Sequence, residues 1–181
     1  MIVLALDLSF ESTGICIADT ETRQLRFHRL TPKSYEKVTV PGKYSTATYN
    51  ATSISDTICK LLMPYRFQIA KTGLHVVIES IGFGFKNRNS TNYLLFEGGI
   101  VGSTMLRVFG AKVDFIEPSK HKKIFTGKGK ATKEDSVRQM FNWFPRMAWQ
   151  TEKLDDLADA VSLMTCAVPD IRFYDYTVTC T

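Results

Sequence analysis

The chain opens on an apolar run, MIVLAL, that stops at Asp7. Uninterrupted apolar residues read as a strand buried on both faces rather than as an alternating surface strand. A polar link, SFES, leads into a second apolar segment, TGICIADT, and then into QLRFHRL, whose alternation marks a third strand. Three strands on short links predict an antiparallel meander. The period then changes. Ile54, Ile58, Leu61, Leu62 and Tyr65 share one face at i, i+4, i+7, i+8 and i+11, which predicts a helix. LHVVIES returns to a continuous apolar run and ends in Glu79. TNYLLFEGGIVGSTMLRVFG reads as a helix closed by Gly110, KVDFIEP as a strand, and SKHKKIFTG as a short helix before the turn KGKA. TKEDSVRQMFNWF reads as a helix with Thr132 as N-cap and Asp135 in its acidic first turn. KLDDLADAVSL opens a last helix near Lys153 that carries no charge from Ala160 to Pro169.

The order βββ-α-β-α-β-α-α-α predicts an α/β fold on a mixed five-stranded sheet, an antiparallel meander followed by parallel strands, with helices on both faces. A chain of 181 residues suits one compact domain, expected over residues 1–169. The stretch Thr31–Ser45, with Pro32, Pro41 and Gly42, reads as an extended loop or an insertion. The tail, residues 170–181, is left as an edge strand, a docking segment or a loose end.

Composition narrows the function little. Hydrophobic residues make up 44% and charged residues 23%, as in ordinary soluble domains. The net charge of +5 permits a nucleic-acid partner. The four cysteines are scattered without CxxC spacing, which argues against zinc and against a disulfide framework and fits a reducing compartment. The N-terminal apolar run meets Asp7 too early for a signal peptide, and no uncharged stretch could span a membrane, so a cytoplasmic protein is expected.

The acids change the picture. Asp7 and Glu79 each close an apolar strand, where a charge is rare unless paired or bound to metal. If the two strands are parallel neighbours, both carboxylates emerge at the same carboxyl edge, the usual ligand site of such sheets. Asp156 and Asp159, at i and i+3, point together from the head of the last helix. Each alone has an ordinary reading as a turn residue, a lysine partner or a first-turn acid. Together they form an oxygen cage that would repel itself without hard cations, and Mg²⁺ or Mn²⁺, as two ions, suits such ligands and phosphodiester hydrolysis.

A basic segment complements the acids. From Pro118 to Lys133 the chain holds Lys120, His121, Lys122, Lys123, Lys128, Lys130 and Lys133 without an acid. A solvated helix is the ordinary fate of such a run, but Gly127 and Gly129 would let backbone N–H groups approach phosphates, which favours contact with a DNA backbone. The loop after Glu79 adds Phe83, Phe85, Lys86 and Arg88, which could stack on bases or wedge a junction open, unless one Phe folds back into the core. His28, His75 and His121 do not cluster in sequence, so a histidine-based triad has no support.

Four segments together resemble the RuvC-like Holliday junction resolvases of the RNase H-like superfamily: LALDLSFESTGICI, VVIES, EPSKHKKIFTGKGKATK and DDLADAVSL. The third is the most specific, and the resemblance runs from about Ile2 to Ala167. It implies an RNase H-like fold and a two-metal nuclease whose four acids fall on Asp7, Glu79, Asp156 and Asp159. It places Lys122 and Lys133 near the scissile phosphates, and puts Phe83, or its competitor Phe85, close to the junction-wedge aromatic. The helix Tyr93–Phe109 corresponds to the family's dimer-forming helix, in which Gly98, Gly99, Gly102 and Ser103 would permit close approach to a partner or to the protein's own sheet. The resemblance thus implies a homodimer acting on branched DNA. The long basic stretch Thr31–Ser45, the Tyr-rich tail and the extra Asp155 mark a divergent member of phage or viral type, acting in a bacterial or phage-infected cell. Two alternatives follow from the same residues. One is another nuclease of this fold, cutting RNA–DNA hybrids or flaps. The other is an actin- or sugar-kinase-like ATP-binding domain, because DLSFESTG loosely echoes that fold's phosphate loop, although no second Asp-Gly phosphate turn follows.

Overall fold

The computed structural model describes residues 1–9, 12–31, 43–80, 88–145 and 154–180. β1 (Ile2–Asp7), β2 (Thr13–Asp19) and β3 (Gln24–Leu30) form the antiparallel meander that the short polar links require. β4 (Leu74–Glu79) pairs parallel with β1, and β5 (Lys112–Ile116) pairs parallel with β4. The sixth strand, β6 (Asp175–Cys180), comes from the tail and lies parallel on β3. The sheet order is β5-β4-β1-β2-β3-β6. The tail is therefore an edge strand, one strand more than the expected sheet of five, and it uses backbone groups of β3 that would otherwise face solvent.

Helices cover both faces. α1 (Lys43–Leu62) begins inside the stretch read as a loop, of which residues 32–42 lie outside the described residues. A 3₁₀ turn at Met63–Tyr65, carrying Pro64, breaks the helical pattern that the sequence carries on to Tyr65. α2 (Arg66–Thr72) follows; it has only seven residues and one buried apolar side chain, Ile69, too weak a signal to read as a helix. Then come α3 (Arg88–Phe109), α4 (Pro118–Thr126), α5 (Lys133–Trp143) and α6 (Leu154–Ala167). Thr132 caps α5 in a reciprocal capping box with Asp135, as its spacing predicts. No helix among the described residues is long and apolar enough to cross a membrane, and Cys16, Cys59 and Cys166 are free thiols.

Strand alternation sorts the apolar residues into two cores. Ile2, Leu4, Leu6, Ile15, Ile17, Val76 and Ile78 face α1 and α3. Val3, Ala5, Cys16, Ala18, Leu25, Phe27 and Val77 face α4, α5 and α6. α6 is the central piece of the second layer: it lies on β1 and β2 and is covered by α4 and α5. From Leu157 to Thr165 every one of its residues is buried.

Two glycines decide how α3 sits. A Cβ at Gly98 or Gly102 would meet Phe115 or Val113 of β5 at 3.3 Å, whereas Gly99 faces open space. Gly98 and Gly102 thus serve the approach to the protein's own sheet. On the stripe Glu97, Val101, Met105 the apolar pair joins the first core and Glu97 is fully buried with them. Neither oxygen of Glu97 has a hydrogen-bond partner, and burial pushes its pKa from 4.5 up to about 8. A raised carboxyl stabilises the fold fully below its unfolded pKa and loses that contribution as pH rises through the folded one. Between about pH 5 and about pH 8, urea unfolding of Glu97→Gln should therefore gain on the wild type by about 1.4 kcal/mol per pH unit. Parallel profiles in the two proteins would refute a dry, protonated Glu97.

Candidate active site at the carboxyl edge of the sheet

Two of the acids reach the same place through strand alternation. On β1 Val3 and Ala5 face the α6 layer, and Asp7 is next in that series. On β4 Val77 faces the same layer, and Glu79 is next. Leu6 pairs in register with Ile78, so the two strands end level with each other. Both carboxylates consequently emerge on one face, at one edge, as the parallel pairing predicts.

The other two acids arrive through a close approach of α6 to β2. Gly14 pairs with Asp7 across the β1–β2 ladder. A Cβ built on Gly14 would lie 2.0 Å from the backbone oxygen of Asp156 and 2.6 Å from its carbonyl carbon. Only a residue without a side chain leaves room for the first turn of α6 there. The result is a cleft of about 580 Å³ lined by Asp7, Glu79, Asp156 and Asp159 together with Lys122 and Lys133.

The carboxylates are partly dry and crowd one another. Burial pushes the carboxyl of Asp7 well above the usual range, and the charges of Glu79, Asp159 and Asp156 add to it, against a smaller pull from Lys133. Burial also raises Asp159, opposed by Lys122, whose Nζ stands 4.0 Å from Oδ1. Asp156 is raised by burial first, with the Ser12 hydroxyl and Arg29 pulling the other way. Arg29 Nε lies 3.5 Å from Asp156 Oδ2 but gives its hydrogen to Ser12 Oγ at 2.7 Å. Asp156 Oδ2 and Asp159 Oδ1 are accordingly buried without any hydrogen bond. Glu79 Oε1 is held by His121 Nε2 at 3.0 Å.

Asp155 has a distinct part. Its Oδ2 accepts from Lys133 Nζ at 2.6 Å. Burial opposes ionisation of Asp155, but the Lys133 bond and charge outweigh it and hold its carboxyl below the usual range. The same bond pushes the Lys133 ammonium upward. Asp155 thus steers a lysine at the rim of the cleft.

Of the residues read from the sequence, Asp7, Glu79, Asp156, Asp159, Lys122 and Lys133 meet in the cleft. Lys123, Lys128 and Lys130 are exposed outside its lining, and Lys128 Nζ stands 3.8 Å from Asp135 Oδ1. Gly127 departs from the role given to it. With φ +80° it closes α4, and its N–H is already given to the Lys123 carbonyl at 3.0 Å, so it is a helix stop rather than a phosphate donor. Phe83, Phe85 and Lys86 lie outside the described residues, as does the side chain of Arg88, the first residue of α3. Sequence reasoning missed Ser12, Arg29, His121 and Ser162 as neighbours of the acids. Their partners lie on other elements, and nothing in the spacing of a lone His or Arg gives that away.

Among the described residues, no three His, Cys, Asp or Glu side chains stand close enough together to hold an ion as they are. The donor set nevertheless suits a hard cation. Two carboxylate oxygens are buried with no hydrogen atom to accept, and Asp7 is pushed up by three neighbouring acids. A divalent ion would relieve both conditions. Asp7, Glu79, Asp156 and Asp159 are the residues placed to hold it.

No protein-family model and no curated protein matches the chain by sequence. Solved structures match by fold. The Thermus thermophilus RuvC structure gives a TM-score of 0.62 at 17% identity, over 93% of this chain and 97% of that one. The T. thermophilus RuvC complex with Holliday junction substrate gives 0.62 at 19% identity, over 90% of each chain. The yeast mitochondrial Holliday junction resolvase gives 0.58 at 12% identity, over 94% of this chain and 77% of that one. At such identities the likeness is one of fold, and the chain has the RuvC-type, RNase H-like fold that its motifs lead one to expect.

The contact at Gly14 makes a direct prediction. Gly14→Ala must push α6 off β2, and urea unfolding should show a loss of about 2–3 kcal/mol. Wild-type stability in this variant would refute the close approach.

Proposed function

We propose that this chain is a metal-dependent, structure-selective endonuclease that resolves Holliday junctions and related branched DNA, a crossover junction endodeoxyribonuclease. The observation that carries the reading is the convergence of Asp7, Glu79, Asp156 and Asp159, from three separate elements, on one cleft with two oxygens left buried and unbonded. The fold it shares with the Thermus and yeast proteins supports it.

Each residue has a part in this reading. The four acids present oxygens to Mg²⁺ or Mn²⁺, which when bound, as two ions, would activate a water and steady the leaving oxygen of a phosphodiester. Lys122 and Lys133 lie beside the acids and neutralise charge that builds on the phosphate. Lys123, Lys128 and Lys130, exposed on α4 and the turn after it, track the DNA backbone. Phe83 or Phe85, with Lys86 and Arg88, contacts the junction from the loop after Glu79. A nuclease domain whose sheet is completed by β6 of the tail, in a reducing cytoplasm, completes the assignment.

Cleavage tests the reading. With Mg²⁺ the protein should cut a four-way junction in preference to duplex DNA or an RNA–DNA hybrid. Asp7→Asn, Glu79→Gln and Asp159→Asn should each lower cleavage by about a thousandfold or more while junction binding in a gel-shift assay persists. Full nicking by any of the three would overturn the assignment.

A two-fold junction needs paired nicks, and a symmetric dimer supplies them. Leu95 and Gly99 of α3 line the cleft, but Phe96 and Leu106 are exposed outside its lining and offer an apolar face to a second copy of the same helix. Sedimentation should show the wild type as a dimer and the double variant Phe96→Glu, Leu106→Glu as a monomer; a dimer in both would move the interface elsewhere.

A further inference from the structure

His121 is fully buried on α4, between Lys120, which is exposed, and Lys122, which lines the cleft. Both ring nitrogens are engaged. Nε2 lies 3.0 Å from Glu79 Oε1, and Nδ1 lies 2.7 Å from the Oγ of Ser162, itself fully buried. Nε2 faces a carboxylate oxygen and Nδ1 faces a hydroxyl, which can give or take a hydrogen, so the ring bridges Ser162 and Glu79. A hydrogen-bonded chain therefore runs from α6 through α4 to the end of β4. Ser162 stands three residues beyond Asp159 on the same side of α6. The serine–histidine–carboxylate order imitates a hydrolase triad, but with Ser162 at 0% exposure no substrate reaches that hydroxyl.

We infer that His121 is a positioning residue, which with Ser162 fixes Glu79 in one orientation and so sets the cation affinity of the cleft. The inference rests on the nuclease reading above. Glu79 is less enclosed than the two acids of α6, with 26% of its side chain exposed against 14% for Asp156 and 11% for Asp159. A glutamate at the end of a strand, with three side-chain torsions and partial exposure to solvent, needs a fixed partner to keep one oxygen directed at a ligand. His121 takes Oε1 into the dry wall and leaves Oε2 open for ligation. The same ring ties Glu79 to the helix that carries Asp156 and Asp159, so the two halves of the acid set share one frame. Histidine suits this because its ring is rigid and its two nitrogens point in fixed directions.

Mn²⁺ binding by titration calorimetry, in the absence of DNA, tests this separately from cleavage. His121→Phe keeps the ring volume and removes both bonds, and it should weaken Mn²⁺ by about 10- to 100-fold. His121→Gln restores an N–H toward Glu79 and should recover most of that loss. Ser162→Ala should weaken Mn²⁺ by about threefold to tenfold. Junction affinity without metal should stay at the wild-type value in all three, because none of them alters a lysine. A wild type that binds no Mn²⁺ would overturn the nuclease reading and this inference with it. A wild type that binds, with a folded His121→Phe that binds equally well, would overturn the inference alone. Should His121→Phe fail to fold, an unchanged affinity in both Ser162→Ala and His121→Gln relative to wild type would overturn it, and graded weakening with Ser162→Ala the weaker binder would support it.

Discussion

The backbone of Asp156 rests against Gly14, at a point where even one methyl group would lie 2.0 Å from a carbonyl oxygen. That contact lets the first turn of α6 come down beside Asp7, because Gly14 and Asp7 are paired neighbours in the β1–β2 ladder. The remainder of α6 follows by packing: Leu157 to Thr165 are buried between the sheet and the layer of α4 and α5. A helix so enclosed cannot rotate or slide without disturbing two layers, so its acids are held where the first turn puts them. The site is thus a consequence of core packing, with its precision supplied by apolar residues that never touch a ligand.

The same geometry creates an electrostatic debt that the protein's own cations only partly relieve. Lys133 is engaged by Asp155, and Arg29 spends its Nε hydrogen on Ser12. Lys122 stands at 4.0 Å from Asp159, beyond hydrogen-bond range. Each cation is close enough to moderate the acids and too committed or too distant to neutralise them. Full pairing would have closed the site to any ligand. Partial pairing keeps the acids folded in while leaving oxygens free, which is the condition a cation-binding cleft needs.

Much of this was legible in the chain. Apolar runs that end in acids identified β1 and β4, and their parallel pairing is what turns two distant acids into neighbours. The i, i+3 pair on α6 was equally plain, as was the capping box of α5. What escaped has a common physical cause. His121, Ser162, Ser12 and Arg29 matter through contacts made across elements, and a single buried polar residue carries no periodicity. Gly127 misled for a related reason: a glycine among lysines serves a phosphate loop and a left-handed helix stop equally well, and only the backbone conformation separates them. α2 escaped because seven residues with one buried apolar position have no amphipathic stripe to detect.

The tail shows how an element far from the acids still bears on them. Without β6, β3 would be the edge of the sheet, and edge strands twist and fray more freely than interior ones. β6 pairs along β3 from Gln24 to Arg29, so the last rung of that ladder is the residue whose guanidinium reaches Ser12 and lies beside Asp156. Phe27, Phe144 and Tyr176 interlock edge to face beneath it, at centroid separations of 5.6 Å and 5.1 Å around Phe144. The tail therefore fixes β3, β3 fixes Arg29, and Arg29 and Ser12 sit against Asp156, the acid whose backbone rests on Gly14. Packing at one end of the sheet and charge at the carboxyl edge are linked through that strand.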